Sequence, residues 1–120
     1  MINTIVFYTA LFIASGFLSF YVLWALYLLV MNLKRARDND TMTDTAYKLG
    51  IPLLIVGYLW DVVCNLTYAS VLFLEIPREW VITARLSRHI ADEGWRGDLA
   101  RWFCRHLLDP YDPSGCHCKK

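Results

Sequence analysis

Two long apolar runs dominate the chain. Residues 4–31 contain no Asp, Glu, Lys, Arg or His, and residues 51–76 contain only Asp61 and Glu75 among those types. A helix needs roughly 20 apolar residues to cross a bilayer core about 30 Å thick, so each run is long enough to span. Between them, residues 32–50 carry Asn32, the basic cluster Lys34-Arg35-Ala36-Arg37 and a polar stretch over 38–46. A connector this short favours an antiparallel pair of helices. Trp24 and Tyr27, near the end of the first run, suit the headgroup level. Pro52 suits the first turn of the second helix, where its missing N–H costs nothing.

The pattern changes at Pro77. Ile82, Leu86 and Ile90 share one face of a third helix that ends near Gly94. Gly97 and Asp98 then break and recap the chain. Residues 98–108 give a fourth helix, with Leu99, Trp102, Phe103 and Leu107 on one face and Arg101 and Arg105 on the other. Residues 109–115, Asp-Pro-Tyr-Asp-Pro-Ser-Gly, are turn chemistry. The pattern predicts an all-α membrane protein. It is a two-helix transmembrane hairpin, with spans 4–31 and 51–76 joined by a polar and basic connector 32–50. A short amphipathic helical tail over 77–120 follows.

Composition agrees. Hydrophobic types make up 57% of the 120 residues, more than the small interior of a soluble domain of this size hides. The first run is much longer than the roughly 7–15 apolar residues of a signal peptide, so it reads as a retained anchor. The net charge of +1 is uninformative because the charges are segregated. Four basic residues, Lys34, Arg35, Arg37 and Lys48, lie between the runs, and eight follow Pro77. Counting positive charge near the spans leaves the two orientations nearly equal. The basic total of the tail, matched to an anionic inner leaflet, tips the expectation towards cytoplasmic termini in a bacterial inner membrane.

The polar groups inside the apolar runs are ordered. In the second run, Tyr58, Asp61, Asn65 and Tyr68 are spaced 3, 4 and 3 apart and lie on one helix face with Leu72 and Glu75. In the first run, Ser15 and Ser19 are small and four apart, so a neighbouring backbone can approach. Counting from the connector sets Ser19 level with Asp61, and Ser15 level with Asn65. A carboxylate at mid-bilayer costs about 2.5–3.5 kcal/mol on insertion scales, so Asp61 needs a partner. Three kinds remain open: an intrachain hydrogen bond to Ser19 or Asn65, a contact with another protein or copy, and an aqueous pore.

The tail interleaves Arg with Trp: Arg78, Trp80, Arg85, Arg88, Arg101, Trp102 and Arg105. Such residues on amphipathic helices suit a membrane surface, and no nucleic-acid motif accompanies them. Cys104, His106, Cys116, His117 and Cys118 are a candidate zinc cluster by ligand type. A disulfide from Cys104 to Cys116 or Cys118 is the alternative if the tail faces an oxidising compartment, and free thiols are a third state. No nucleophile elbow, zinc-protease helix or phosphate loop occurs, so a catalytic role is not expected.

Three strings carry a resemblance: N-L-K-R-A-R-D after the first run, P-R-E-W-V-I-T-A-R-L-S-R-H after the second, and D-P-Y-D-P-S-G-C-H-C over 109–118. Together they resemble small membrane proteins encoded in tailed-phage genomes and prophages of Gram-negative bacteria. The resemblance covers most of the chain and transfers no functional residues. It implies a phage-related, non-catalytic protein of the bacterial inner membrane. Such a protein works by self-association, as a holin does in lysis, or by binding a host membrane protein, as in superinfection exclusion. A structural accessory subunit of a larger membrane complex is the alternative.

Overall fold

A computed structural model describes residues 1–118. Lys119 and Lys120, counted above with the basic residues of the tail, lie outside the described residues. Every regular element among the described residues is helical. Helix α1 spans Ile2–Asp38, α2 Asp44–Leu66, α3 Tyr68–Phe73, α4 Ile82–His89 and α5 Trp95–Phe103. A π-helical turn, Cys104–Leu108, and a 3-10 turn, Asp109–Tyr111, follow. Two helical stretches, Ile2–Asp38 and Asp44–Phe73, are long and apolar enough to cross a membrane.

Helix α1 does not stop at the basic cluster. Lys34, Arg35 and Arg37 lie in its last turns, where cations favour the negative end of the helix dipole. The break is therefore only residues 39–43. Thr43 then caps α2 by accepting from the Ala46 N–H (3.1 Å). Pro52 sits inside α2 rather than in its first turn. At Thr67 the helix is interrupted: the Thr67 hydroxyl donates to the Val63 carbonyl (2.6 Å), and the backbone leaves helical geometry for one residue. Leu74 ends α3 in the left-handed region.

Helices α1 and α2 run side by side in opposite directions. The Ser15 and Tyr68 hydroxyls are 3.0 Å apart, and the Trp60 indole donates to the Ser19 carbonyl (3.0 Å). Gly16 is buried because the Tyr68 ring lies where a Cβ would be, 2.9 Å from its ideal position. The register is one turn away from the sequence count: Ser15 meets Tyr68 rather than Asn65.

The tail does not continue past the spans. It folds back along them and carries the hydrophobic core. Phe73, Leu86, Ala100, Cys104 and Cys118 are buried together, with Ile82, Ile90, Leu99, Phe103 and Leu108 packed around them. The third helix starts at Ile82, five residues after Pro77, and the fourth starts at Trp95. Gly97 is thus inside α5 and not a break. It is there because the Asp92 carbonyl fills the space a Cβ would need. Cys104 and Cys118 are joined by a disulfide, which ties the end of the described chain to the tail core.

Candidate functional site

Some of the groups singled out in the apolar runs hold the tail. Asp61 Oδ1 accepts from the Ile82 N–H (2.8 Å), so the carboxylate caps the start of α4. Its partner is neither Ser19 nor Asn65. Asn65, buried completely, donates through Nδ2 to the Glu79 carbonyl (2.5 Å). From α1, the Trp24 indole donates to the Leu107 carbonyl (2.8 Å) and the Tyr27 hydroxyl to the Leu108 carbonyl (2.5 Å). Those carbonyls lie at the end of the π-helical turn, where helix carbonyls lack intrahelical partners. Trp24 and Tyr27 therefore tie α1 to the tail. Tyr58 stays exposed, and the Ser19 hydroxyl makes no hydrogen bond among the described residues.

The C-terminal turn is organised by two aspartates that the pattern reading did not single out. Asp109 Oδ1 accepts from the backbone N–H groups of His117 (2.8 Å) and Cys118 (3.2 Å). Asp112 accepts from the Ser114 backbone and hydroxyl, from Lys34 Nζ (3.2 Å) and on Oδ2 from His117 Nδ1 (2.9 Å). Burial alone pushes the Asp112 carboxyl up. The hydrogen bonds from Ser114, His117 and Lys34 outweigh it and hold the group well below the usual carboxylate range. The signal available in sequence was the repeated Asp-Pro pair before Ser-Gly, where aspartate side chains bond to nearby backbone.

Of the three states left open for the cysteines, the candidate zinc cluster is not assembled, and the disulfide is formed. Cys104 and Cys118 are spent in the disulfide, and a thiol must be a free thiolate to ligate. His106 stacks on Trp102 and bonds its carbonyl on the exposed side of the tail. His117 lies between Thr83 and Asp112, and Cys116 is an exposed free thiol. No three such residues come together among the described residues. The spacing gave no fixed geometry, and the disulfide claimed the two sulfurs nearest the core.

The expected membrane-surface set divides. Arg78, Trp80, Trp102 and Arg105 are exposed on the tail. Arg85 is instead wholly buried. It donates to Ser70 Oγ (3.1 Å) and lies 3.8 Å from Glu75, with Nε and Nη1 unpartnered. Burial draws this guanidinium below its ordinary value, while Glu75 and Glu79 push back. Arg88 is paired with Glu79 and, at 2.7 Å, with Glu75. Glu75 also accepts from His89 (2.8 Å), so it is tied into the tail and not solvated at a headgroup layer. Arg101 binds the Ile90 and Asp92 carbonyls and Asp98. These arginines build the tail; an Arg on an amphipathic helix does not reveal which acids its neighbours supply.

Between α1, α2, α4 and the π-helical turn lies a cavity of about 390 Å³. Its wall is almost entirely apolar, including Leu26, Gly57, Leu72, Phe73, Leu86 and Phe103. The polar residues on it are Tyr27, Tyr58, Asp61, Thr83 and His117. Of the polar face of α2, Tyr58 and Asp61 lie on this cavity. Comparison with known proteins gives no matching family model, curated relative or solved structure.

Proposed function

We propose that the protein is a two-span integral membrane protein of phage type that performs no chemistry of its own and acts by binding a host membrane protein through the charged flank of its tail. One observation carries the reading. Arg78, Glu93, Asp98 and Arg105 are exposed on a tail that runs beside α1 and α2 rather than beyond them. The same molecule leaves Ile2, Ile5, Phe7, Leu11 and Ile13 of α1 and Leu54, Ile55 and Leu59 of α2 exposed. An apolar surface of that size belongs in lipid or against protein. Charged side chains avoid lipid and face protein or water. A partner protein on the tail flank satisfies both faces. A hairpin transmembrane topology in a bacterial inner membrane fits this reading, as does host modification such as superinfection exclusion. The use of Asp61 and Asn65 within the chain favours it over a holin-like pore. The Cys104–Cys118 disulfide favours an oxidising surrounding for the tail, opposite to the orientation expected from charge counting.

The test combines fractionation with site-directed crosslinking. The intact chain resists alkaline carbonate extraction, and photo-crosslinkers at Arg78, Asp98 and Arg105 trap one discrete host protein. Reversing charge at Asp98 and Arg105 together removes that product. Release into the soluble fraction, crosslinks to lipid alone, or abrupt lysis at a fixed time after induction refutes the proposal. Alkaline phosphatase and green fluorescent protein fusions after residue 120 read the side of the tail.

A further inference from the structure

The cavity behind the polar face of α2 has the size and lining of a ligand site. Small-molecule sites run roughly 300–1,000 Å³, mostly apolar with a few polar groups that set orientation. Packed interiors hold few voids larger than a water molecule, and this one measures about 390 Å³. Its exposed lining residues, Leu54, Tyr58 and Leu72, mark an open side on α2 and α3. That side is continuous with the apolar surface assigned above to lipid. Hydrocarbon therefore has a path in.

The polar groups say what the occupant carries. Asp61 is the only acid on the wall. Its Oδ1 accepts from Ile82, while Oδ2 has no hydrogen bond among the described residues. The Tyr27 hydroxyl is used by Leu108, and His117 is held by Thr83 and Asp112. The free group is a carboxylate oxygen, a negatively charged hydrogen-bond acceptor, in a mostly apolar wall. A carboxylate left unpaired there is costly, and an ammonium donor relieves that cost with a charge-assisted hydrogen bond.

We propose that the cavity binds a lipophilic amine: one hydrocarbon chain along Leu26, Gly57, Leu86 and Phe103, with its ammonium group on Asp61 Oδ2. The chain enters from the bilayer, so this inference rests on the membrane reading. The site itself is made by residues of this chain alone and does not depend on the partner.

The experiment uses the full chain in phosphatidylcholine nanodiscs and two diazirine probes, a dodecylamine and a dodecanoic acid of equal length. Labelled peptides are mapped by mass spectrometry. Saturable labelling of the segments around Leu26 and Gly57 by the amine is expected, with unlabelled dodecylamine competing and dodecanoate failing to compete. Asp61→Asn keeps an oxygen to cap Ile82 and removes the charge, so amine labelling weakens at least about tenfold. Gly57→Leu fills the cavity and abolishes the saturable labelling by the amine. Leu54→Trp blocks the open side from an exposed position and serves if Gly57→Leu misfolds. Each variant is checked by circular dichroism and by retention of the Cys104–Cys118 disulfide. Equal labelling by acid and amine, unsaturable labelling spread over residues 2–14, or Asp61→Asn labelling at the wild-type level overturns the inference. Carbonate extraction is scored separately: an extractable chain that still labels saturably fails the membrane reading and keeps the site.

Discussion

Replacing Asp61 with Leu removes the cap of α4 and leaves the Ile82 N–H without its acceptor. Loss of an N-cap costs about 1 kcal/mol, within a range of roughly 0.5–2. An unsatisfied donor in a part-buried place costs about 1–3 kcal/mol. The two describe overlapping losses, so about 2 kcal/mol is the working figure, or roughly thirtyfold in the local opening equilibrium at about 1.4 kcal/mol per tenfold. Asp61→Asn retains an acceptor oxygen and should cost under about 0.5 kcal/mol. The assay is hydrogen exchange by mass spectrometry on detergent-solubilised protein, read at peptides covering Ile82–Arg85. In Asp61→Leu those amides exchange roughly thirtyfold faster; in Asp61→Asn they stay close to wild type. Any crosslink between copies persists in both variants, because Asp61 Oδ1 is engaged within its own chain. Unchanged exchange in Asp61→Leu together with loss of a copy-to-copy crosslink refutes the assignment and places the partner of Asp61 outside the chain.

Changing Cys104 and Cys118 together to Ser opens a 14-residue separation, worth about 3 kcal/mol on the chain-entropy account. Unfolding of the tail in urea, followed by tryptophan fluorescence, shifts to lower denaturant, and an unmoved midpoint counts against the disulfide. Asp112 is held below its ordinary pKa by Ser114, His117 and Lys34. Its stabilisation is therefore fully present above the ordinary carboxylate pKa of about 3.9 and is lost as pH falls through the lower folded value. Acid unfolding of the C-terminal turn should begin below about pH 4 and be blunted in Asp112→Asn. Leu86→Ala, at a buried core position, should destabilise the tail by about 2–5 kcal/mol. Val71→Ala, at an exposed one, should stay within about 0.5 kcal/mol.

The helical spans were legible because apolar runs of such length have few other uses. Their ends were less legible. A basic cluster reads as a stop, yet α1 takes it into its last turns. The seam on α2 was legible as a face, because Tyr58, Asp61, Asn65 and Tyr68 repeat at helical spacing. What met it was not legible. Ser15 meets Tyr68 as a level count roughly allows, but the partners of Asp61 and Asn65 are backbone groups of Ile82 and Glu79. Every residue has such groups, so no side-chain pattern announces them. The tail showed the same limit. Arg85 and Arg101 read as surface cations because each lies on an amphipathic helix. Their burial or engagement depends on where the chain doubles back, which is set by long-range packing on Phe73 and Leu86 rather than by local spacing.

The docked tail also bears on the choice between pore formation and partner binding. A pore lined by the α2 seam needs Asp61 and Asn65 facing water. In this fold both are engaged by the tail, and the hydrogen bonds that tie the tail to the helices include five from Trp24, Tyr27, Lys34 and Asn65 and to Asp61. At about 1 kcal/mol net each, exposing the seam costs about 5 kcal/mol before any core contact is counted. That leaves a resting population of roughly a few in ten thousand undocked. A lytic role then demands a trigger that binds the undocked tail several kcal/mol better than the docked one. Partner binding demands no rearrangement, since Arg78, Asp98 and Arg105 are already exposed on the docked tail. One measurable quantity decides between them: the rate at which a thiol reagent reaches a cysteine placed at Asn65 in membranes, in a chain whose free Cys64 and Cys116 are both changed to Ser. Slow modification that speeds up only when Trp24 and Tyr27 are both changed to Phe fits a tail that stays docked while it works. Fast modification at that position with Trp24 and Tyr27 intact restores the pore as the better account.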